Sequence, residues 1–402
     1  MSLSSDLDPI AITGFGLVSA AGTGADALWN AISARQSHLG PLKQVGRRDL
    51  SVDRGGEVPN TLLMKNGDSL SDDRAFSMAA LAIEESLQRA QLTKKNCRIG
   101  LALGTALGSI QILERLVRGE APEHLWSDVP QQSLALQLAR WFGLRGPAWN
   151  FSVTCVSGLY ALEQAIMDLH YRRSDAVVCG GLDTLSLFMQ SGFCALKALS
   201  PTGRLRPFGK EHDGIVLGEG AAFVIIEKLS SALERDAKVY GVVAANELIS
   251  DGAHLTSPDQ TGRGMAEAIS RALTRSGLQP DTLGCITPTA TGSPIYDRMQ
   301  SRAVLDALGE KHTHGVPVTT WEPVIGHALA STGILGLVHG AMVLDRNKIL
   351  PSFGSGDIDG ECRLQYLLEN KQTFDGGAVL ALTVGFGGQN GATLIARPEA
   401  IS

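Results

Sequence analysis

The chain predicts an α/β protein built from two similar halves, on three observations. Its 402 residues exceed what one ordinary hydrophobic core holds. Hydrophobic residues make up 44%, charged residues 19%, and 46 glycines punctuate them, which is the composition of a soluble α/β protein. A strand–loop–helix rhythm runs through residues 1–236 and again through 237–402, without a letter-by-letter repeat.

The elements follow in order. Residues 10–14 are a short β-branched strand ending in glycine, followed by a glycine-punctuated loop and a helix over 25–35. Gly14, Gly16 and Ser19 do not complete a G-x-G-x-x-G, so a dinucleotide turn is disfavoured. Residues 40–70 are polar and irregular, a loop or capping excursion, and 71–92 form a long helix. The apolar run 98–105 is a buried parallel strand, 134–142 a helix, and 176–181 a second buried strand. Between them, Leu159, Leu162, Ile166 and Leu169 recur at three- and four-residue spacing and mark one face of a helix over 158–173. Residues 200–213 are loop and 221–227 a strand.

The second half repeats the rhythm: strand 239–247, helix 265–276, strand 283–287, helix 297–308 and strand 317–320. Gly326-His327 opens a helix over 328–344, and strands 377–384 and 392–396 close the chain around a glycine-rich turn.

Composition narrows the function classes. A net charge of −6 offers no basic patch for nucleic acid, and no run approaches the ~18–20 apolar residues of a membrane span. Residues 1–9 lack a basic and apolar leader, so a cytoplasmic location is expected. Six cysteines lie scattered without C-x-x-C spacing, which favours neither zinc nor a disulfide framework. Of the nine histidines only His312 and His314 are close together, on a polar loop, and no metal site is expected.

The chemistry centres on Val153-Thr154-Cys155-Val156-Ser157-Gly158, where a turn-rich segment gives way to the helix. A cysteine at a helix N-terminus meets unpaired N–H groups and the positive end of the dipole, which lower such thiols from ~8.5 into the range ~3.5–7.5. His327 supplies an imidazole elsewhere in the chain, the minimum for nucleophilic acyl transfer. The turn Gly385-Phe386-Gly387-Gly388 offers unobstructed backbone N–H groups, as an oxyanion site requires.

These motifs together resemble the β-ketoacyl-[acyl-carrier-protein] synthases of the elongating type, in the thiolase-fold superfamily of condensing enzymes. The likeness runs from about residue 9 to 397. Arg206-Pro207-Phe208 through Asp213-Gly214, with Gly218-Glu219-Gly220, resembles the family's R-P-F-D-x-x-x-D-G…G-E-G. Ser191-Gly192-Phe193, Gly326-His327 with Gly333, and Gly385-Phe386-Gly387-Gly388-Gln389-Asn390 resemble three further motifs.

The resemblance implies a five-layer αβαβα sandwich of two βαβαβαββ halves, a homodimer or a heterodimer with another ketosynthase-like subunit. It implies no bound cofactor, because an acyl carrier protein brings the substrate on phosphopantetheine. Cys155 takes the acyl group, with the N–H groups of Cys155 and Phe386 as oxyanion hole and Phe386 as gate. Residues 110–145 contribute to tunnel and dimer surface, with Leu107, Ile110 and Phe193 as lining residues.

Two departures stand out. The family's first catalytic histidine opens H-G-T-x-T-P-x-x-D, and counting back eight from Asp297 places Thr289 there. The family's lysine five residues before the second histidine is Glu322, and its glutamate three after the aspartate is Gln300. A retained glutamate would face Glu322, so the two changes read as a rebuilt pair in which Gln300 donates to Glu322. Thr289 donates one hydrogen bond but carries no charge, so malonyl decarboxylation is expected to be impaired while acyl loading survives. Three functions fit: a ketosynthase with an altered decarboxylation site, a ketosynthase-like acyltransferase without decarboxylation, and a chain-length-factor-like partner. Cys155 counts against the third. A thiolase is disfavoured because the Phe386 turn lacks a second cysteine.

Overall fold

A computed structural model describes residues 8–45, 50–65, 68–92 and 97–401. Ten strands make one mixed sheet, nine of them of four residues or more. In chain order the nine are β1 (Ile10–Ser19), β2 (Ile99–Gly104), β3 (Ala148–Phe151), β4 (Ala176–Asp183), β5 (Gly220–Lys228), β6 (Gly241–Ser250), β7 (Leu283–Thr287), β8 (Ala378–Gly385) and β9 (Gln389–Ala396). Five helices matter for the site: α1 (Arg74–Ala90), α2 (Ser157–His170), α3 (Arg263–Ser276), α4 (Pro294–Leu308) and α5 (Thr332–Arg346).

The sheet has two strand sets of the same order. The first runs β3-β2-β4-β5-β1, parallel through β3, β2 and β4 and antiparallel beyond. The second runs β7-β8-β9-β6, with only β7 and β8 parallel. Outside β7 the chain at Val318 makes a single parallel bridge to Ile286, in the place β3 occupies in the first set. The strand expected over 317–320 is thus reduced to a bridge. Val318 is shared with a second neighbour, donating to Gln365 O while its own carbonyl accepts from Leu367 N. The sets join where Ile10–Ile12 pairs with Gly241–Val243.

Helices complete five layers. α1 covers the outer face of β1 and β5, α3 packs outside β6 and β9 with α4 against it, and α2 and α5 lie between the strand sets and against each other. Leu159, Leu162, Ile166 and Leu169 are buried, so the face read from their spacing is the face α2 turns inward. Burying each such side chain contributes about 1.5–3 kcal/mol. α5 is buried from Thr332 through Leu344 because it touches both strand sets. An apolar helix in that layer has no solvent side to pattern.

Two expectations change here. β1 does not stop at Gly14 but continues to Ser19, with a bulge between Ile12 and Gly14. Its glycines make room: a methyl group on Gly16 would lie 2.2 Å from Ala82 O in α1. They are contact points for a helix, not a turn. The chain after Gly326 does not enter a helix directly; a 3-10 turn at Leu329–Ser331 precedes α5, and His327 lies on the connecting segment. Within the 40–70 excursion, Gly40–Pro41 pairs with Arg54–Gly55 and Asn60–Leu63 is a 3-10 turn; residues 46–49 and 66–67, like 1–7 of the leader reading, lie outside the described residues. Among the described residues no helix is long and apolar enough to cross a membrane.

Candidate active site

Cys155 stands on a sharp turn between β3 and α2. Thr154 has φ 50°, a left-handed conformation that costs a non-glycine residue about 1–2 kcal/mol. Three hydrogen bonds hold it there. Ser157 Oγ donates to Thr154 O at 2.5 Å and accepts from Val153 N at 2.8 Å, while Thr154 Oγ1 donates to Phe386 O at 3.1 Å. The last bond fastens the cysteine turn to the Phe386 turn. A methyl group on Gly385 would fall 2.6 Å from Thr154 Oγ1 and 3.4 Å from Cys155 N, so only glycine allows that approach.

His327 Nε2 lies 3.2 Å from Cys155 Sγ. Its backbone is bolted to the first half of the chain: His327 N donates to Val216 O and His327 O accepts from Gly218 N. The expected pairing of cysteine and histidine is therefore direct. Asp183, at the end of β4, sits behind both. It accepts from Thr105 Oγ1, the N–H groups of Ala106 and Leu107, and Ala330 N three residues beyond His327. Burial pushes the Asp183 carboxyl up to about 6 in spite of these donors.

The electrostatics correct one expectation. Burial, with the nearby Asp183 adding to it, pushes the Cys155 thiol up to about 12, and burial holds the His327 imidazole down at about 4. The helix N-terminus does not prevail, because in the closed site desolvation of a thiolate outweighs a dipole felt only over the first turn. At neutral pH the pair is S–H beside a neutral imidazole, a poised general base rather than a standing thiolate.

The space beside the thiol is small. Phe193, Ile215, Thr291, Tyr296, Val384 and Phe386 enclose with the dyad a cavity of about 10 Å³, the room of roughly one water. Phe386 forms its lid. Its ring stacks on Phe193 with centroids 5.2 Å apart and faces Tyr296 at 6.4 Å. A larger cleft of about 650 Å³, lined by Arg54, Arg204, Arg206, Lys210, Glu211 and Asp357 among others, excludes Cys155 and His327.

Thr289 is near but does not face the thiol. Its hydroxyl donates to Leu382 O at 2.9 Å and accepts from Val384 N at 3.3 Å, so both roles are used within β8. Gln300 and Glu322 do not pair as expected. Gln300 Oε1 accepts from Thr289 N and its Nε2 donates to Thr289 O, while Glu322 Oε1 accepts from Ala290 N. The two side chains clamp adjacent peptides of one loop from two elements, and each satisfies backbone instead of the other. Burial raises the Glu322 carboxyl to about 8, and its Oε2 has no hydrogen-bond partner.

Asp297 is buried in α4, accepts from Phe208 N at 2.8 Å, and lies 3.1 Å from His212 Nδ1 and 3.5 Å from Thr291 Oγ1. Thr291 and Tyr296, which the sequence reading passed over, are the members of this loop and helix that reach the cavity. The motif count identified the loop; that Thr291 rather than Thr289 lines the cavity is a tertiary fact that no spacing reveals.

Of the three tunnel candidates Phe193 lines the cavity, but Leu107 and Ile110 do not. Leu107 contributes its N–H to Asp183, and Ile110 begins a short helix, Ile110–Val117, and is buried. Glu219 of the G-E-G motif is a scaffold: it accepts from Val58 N and Leu185 N and pairs with buried Arg74. His314 Nδ1 lies 2.6 Å from Glu310 O, and no group of three metal-binding side chains occurs among the described residues.

Comparison with known proteins gives this geometry a context. Residues 7–232 match the model of the beta-ketoacyl synthase N-terminal domain, and 240–355 that of the C-terminal domain. The chain is 28% identical to the 3-oxoacyl-[acyl-carrier-protein] synthase 2 of Synechocystis sp., covering 95% of this chain and 96% of the relative. It is 30% identical to the tetracenomycin polyketide synthase ketoacyl synthase alpha subunit of Streptomyces glaucescens, covering 97% of each. Among solved structures, a type II polyketide ketosynthase in complex with its acyl-carrier protein superposes with TM-score 0.88 at 25% identity, over 97% of this chain and 99% of that one. The ishigamide ketosynthase/chain length factor shares the fold at TM-score 0.88 and 24% identity, over 97% and 99%. The thiolase fold expected from the motifs is the observed fold, and the chain belongs to the β-ketoacyl synthase family.

Proposed function

We propose that this protein is a condensing enzyme that loads an acyl group from an acyl carrier protein onto Cys155 and extends it in fatty-acid-like or polyketide-like biosynthesis. The observation that carries the reading is the Cys155–His327 contact of 3.2 Å between a thiol and a neutral imidazole. In loading, His327 Nε2 takes the thiol proton as sulfur adds to the thioester carbonyl. The backbone N–H groups of Cys155 and Phe386 hold the resulting oxyanion. Collapse breaks the bond to the phosphopantetheine sulfur, which leaves as a thiol with the proton from His327. The substrates arrive on their carriers, so the reaction needs no bound cofactor.

The second stage is altered. Thr289 has no free hydroxyl to offer, so decarboxylation of a malonyl thioester rests on His327 and the remaining donors of the cavity. That same observation favours one alternative, an acyltransferase that passes the acyl group to another nucleophile without decarboxylation. By the relatives, the partner is an acyl carrier protein, with a second ketosynthase-like subunit, identical or not, completing the assembly.

Intact-mass measurement with an acyl-loaded carrier protein, then malonyl carrier protein, tests the reading. An adduct on wild type but not on Cys155→Ala, followed by release of CO₂ and a β-ketoacyl product, supports condensation. An adduct without CO₂ moves the assignment to the acyltransferase, and no adduct removes both.

A further inference from the structure

The cavity holds one imidazole, and it faces the thiol. An acceptor thioester that attacks the acyl-cysteine needs a second donor, because negative charge develops on its carbonyl oxygen as its carboxylate leaves. Among the residues that line the cavity, only Cys155, His327, Thr291 and Tyr296 carry side-chain donors. The Tyr296 hydroxyl is turned outward to Thr256 O at 3.3 Å. Thr291 remains.

Thr291 is also held. Its Oγ1 accepts from Ser293 N at 3.2 Å and lies 3.5 Å from Asp297 Oδ1, the limit of a hydrogen bond. Asp297 Oδ2 accepts from Phe208 N and lies 3.1 Å from His212 Nδ1. All three side chains are buried. Thr291 O–H donates along its contact to Asp297 Oδ1, and burial raises the Asp297 carboxyl above the ordinary carboxylate range. His212 Nε2 lies 3.1 Å from Asp359 Oδ2, outside the direction of a hydrogen bond, so the ordered row ends at the imidazole.

We propose that Thr291, oriented by Asp297 and His212, is the hydrogen-bond donor to the acceptor's carbonyl oxygen, in place of the imidazole that Thr289 cannot supply. The proposal rests on the condensing reading above. In the working arrangement Thr291 O–H swings from Asp297 Oδ1 to the carbonyl, while Ser293 N–H still donates to Thr291 Oγ1 behind it. No proton leaves the row: the carbon–carboxylate bond breaks, its electron pair becomes the enolate, and the row stabilises the oxygen. The enolate carbon then forms the bond to the acyl carbon, and the Cys155 thiolate departs and regains a proton taken up from water by way of His327, whose earlier proton left with the phosphopantetheine thiol. Thr291 is thus a catalytic residue, and Asp297 and His212 are positioning residues.

The test compares the two half-reactions in the full-length protein, with acyl carrier protein as donor and malonyl carrier protein as acceptor. In Thr291→Val, condensation is expected to fall about 100-fold more than acyl loading, the usual loss for an oxyanion donor. Thr291→Ser, which keeps the hydroxyl, should recover all but about fivefold. His212→Leu is expected to lower kcat for condensation about tenfold with little change in KM for malonyl carrier protein, and His212→Asn, which keeps a donor for Asp297, to restore most of it. Equal losses in both half-reactions, or no rescue by serine and asparagine, would show a merely structural cluster and overturn the proposal. If wild type condenses and Thr291→Val does so as fast, this inference alone fails. If wild type loads but releases no CO₂, the condensing reading fails and takes this one with it.

Discussion

In the first strand set the segment between β3 and α2 carries Cys155; in the second, the segment between the Val318 bridge and α5 carries His327. The two segments hold equivalent places in strand sets of the same order, yet they are held differently. The cysteine turn is strained at Thr154 and pinned by side chains, whereas the histidine segment is bonded through its backbone to residues 216–218 of the other half. Each strand set therefore supplies one member of the Cys155–His327 contact. A second equivalence lies after β2 and β7. Buried Asp183 gathers the first loop at residues 105–107, and buried Glu322 with Gln300 clamps the second at 289–290. The two strand sets share an outline, while the charged groups that hold their loops differ.

The largest expected effect breaks the pair itself. Cys155→Ala should abolish the acyl adduct, and His327→Ala should slow loading by roughly 10²–10⁴ while leaving the adduct chemically possible, as read by time-resolved intact mass. With His327 at about 4 and Cys155 at about 12, loading should be level across pH 6–9. It should fall on acidification through about 4, as the imidazole becomes protonated and can no longer accept. A rise centred near neutrality would show instead a histidine of ordinary basicity, open to water in the reacting state.

Glu322 sharpens the contrast between the two clamped loops. Its folded carboxyl at about 8 lies above the ordinary carboxylate value, so between those pH values the native state holds a proton that the unfolded state has lost. Stability must then fall as pH rises through that window, by on the order of 4 kcal/mol in total. Glu322→Gln keeps an acceptor for Ala290 N and cannot titrate, so its stability relative to wild type should grow between pH 5 and pH 8.5 in urea unfolding. A pH-independent difference would place the carboxyl in contact with water.

A smaller effect belongs to Thr289. If its hydroxyl serves β8, Thr289→Val strands Leu382 O and Val384 N and should cost about 1–3 kcal/mol. Acyl loading should change little. A loss confined to the condensation step, with stability unchanged, would return Thr289 to the place of the missing imidazole.

Much of this was legible in the residues. The 3–4 spacing of Leu159 through Leu169, the β-branched runs and the turn at Cys155 are local patterns, and they gave α2, most of the strands and the position of Cys155 at the start of α2. The Phe386 turn and His327 were legible by motif. What escaped was set by tertiary contact. Gly14 and Gly16 looked like a turn because glycine permits two things, a bend and a close approach, and only α1 decides between them. Thr289, Thr291 and Tyr296 share one short stretch, and its Thr289 and Ala290 peptides are held by Gln300 and Glu322, contacts made only in the folded chain. The thiol's state was misjudged for a like reason: the helix end is visible in the sequence, but the rings that shut water out are not.

The stacking of Phe386 on Phe193 has a consequence for affinity. With about 10 Å³ beside the thiol, the described conformation cannot hold an acyl chain, so binding draws on whatever fraction of molecules has the ring displaced. The apparent dissociation constant for the acyl carrier is then the intrinsic constant divided by that fraction. An aromatic pair worth about 0.5–1.5 kcal/mol weakens it by roughly two- to tenfold. Phe193→Ala would remove that handicap and tighten acyl-carrier binding without adding a single contact to the substrate.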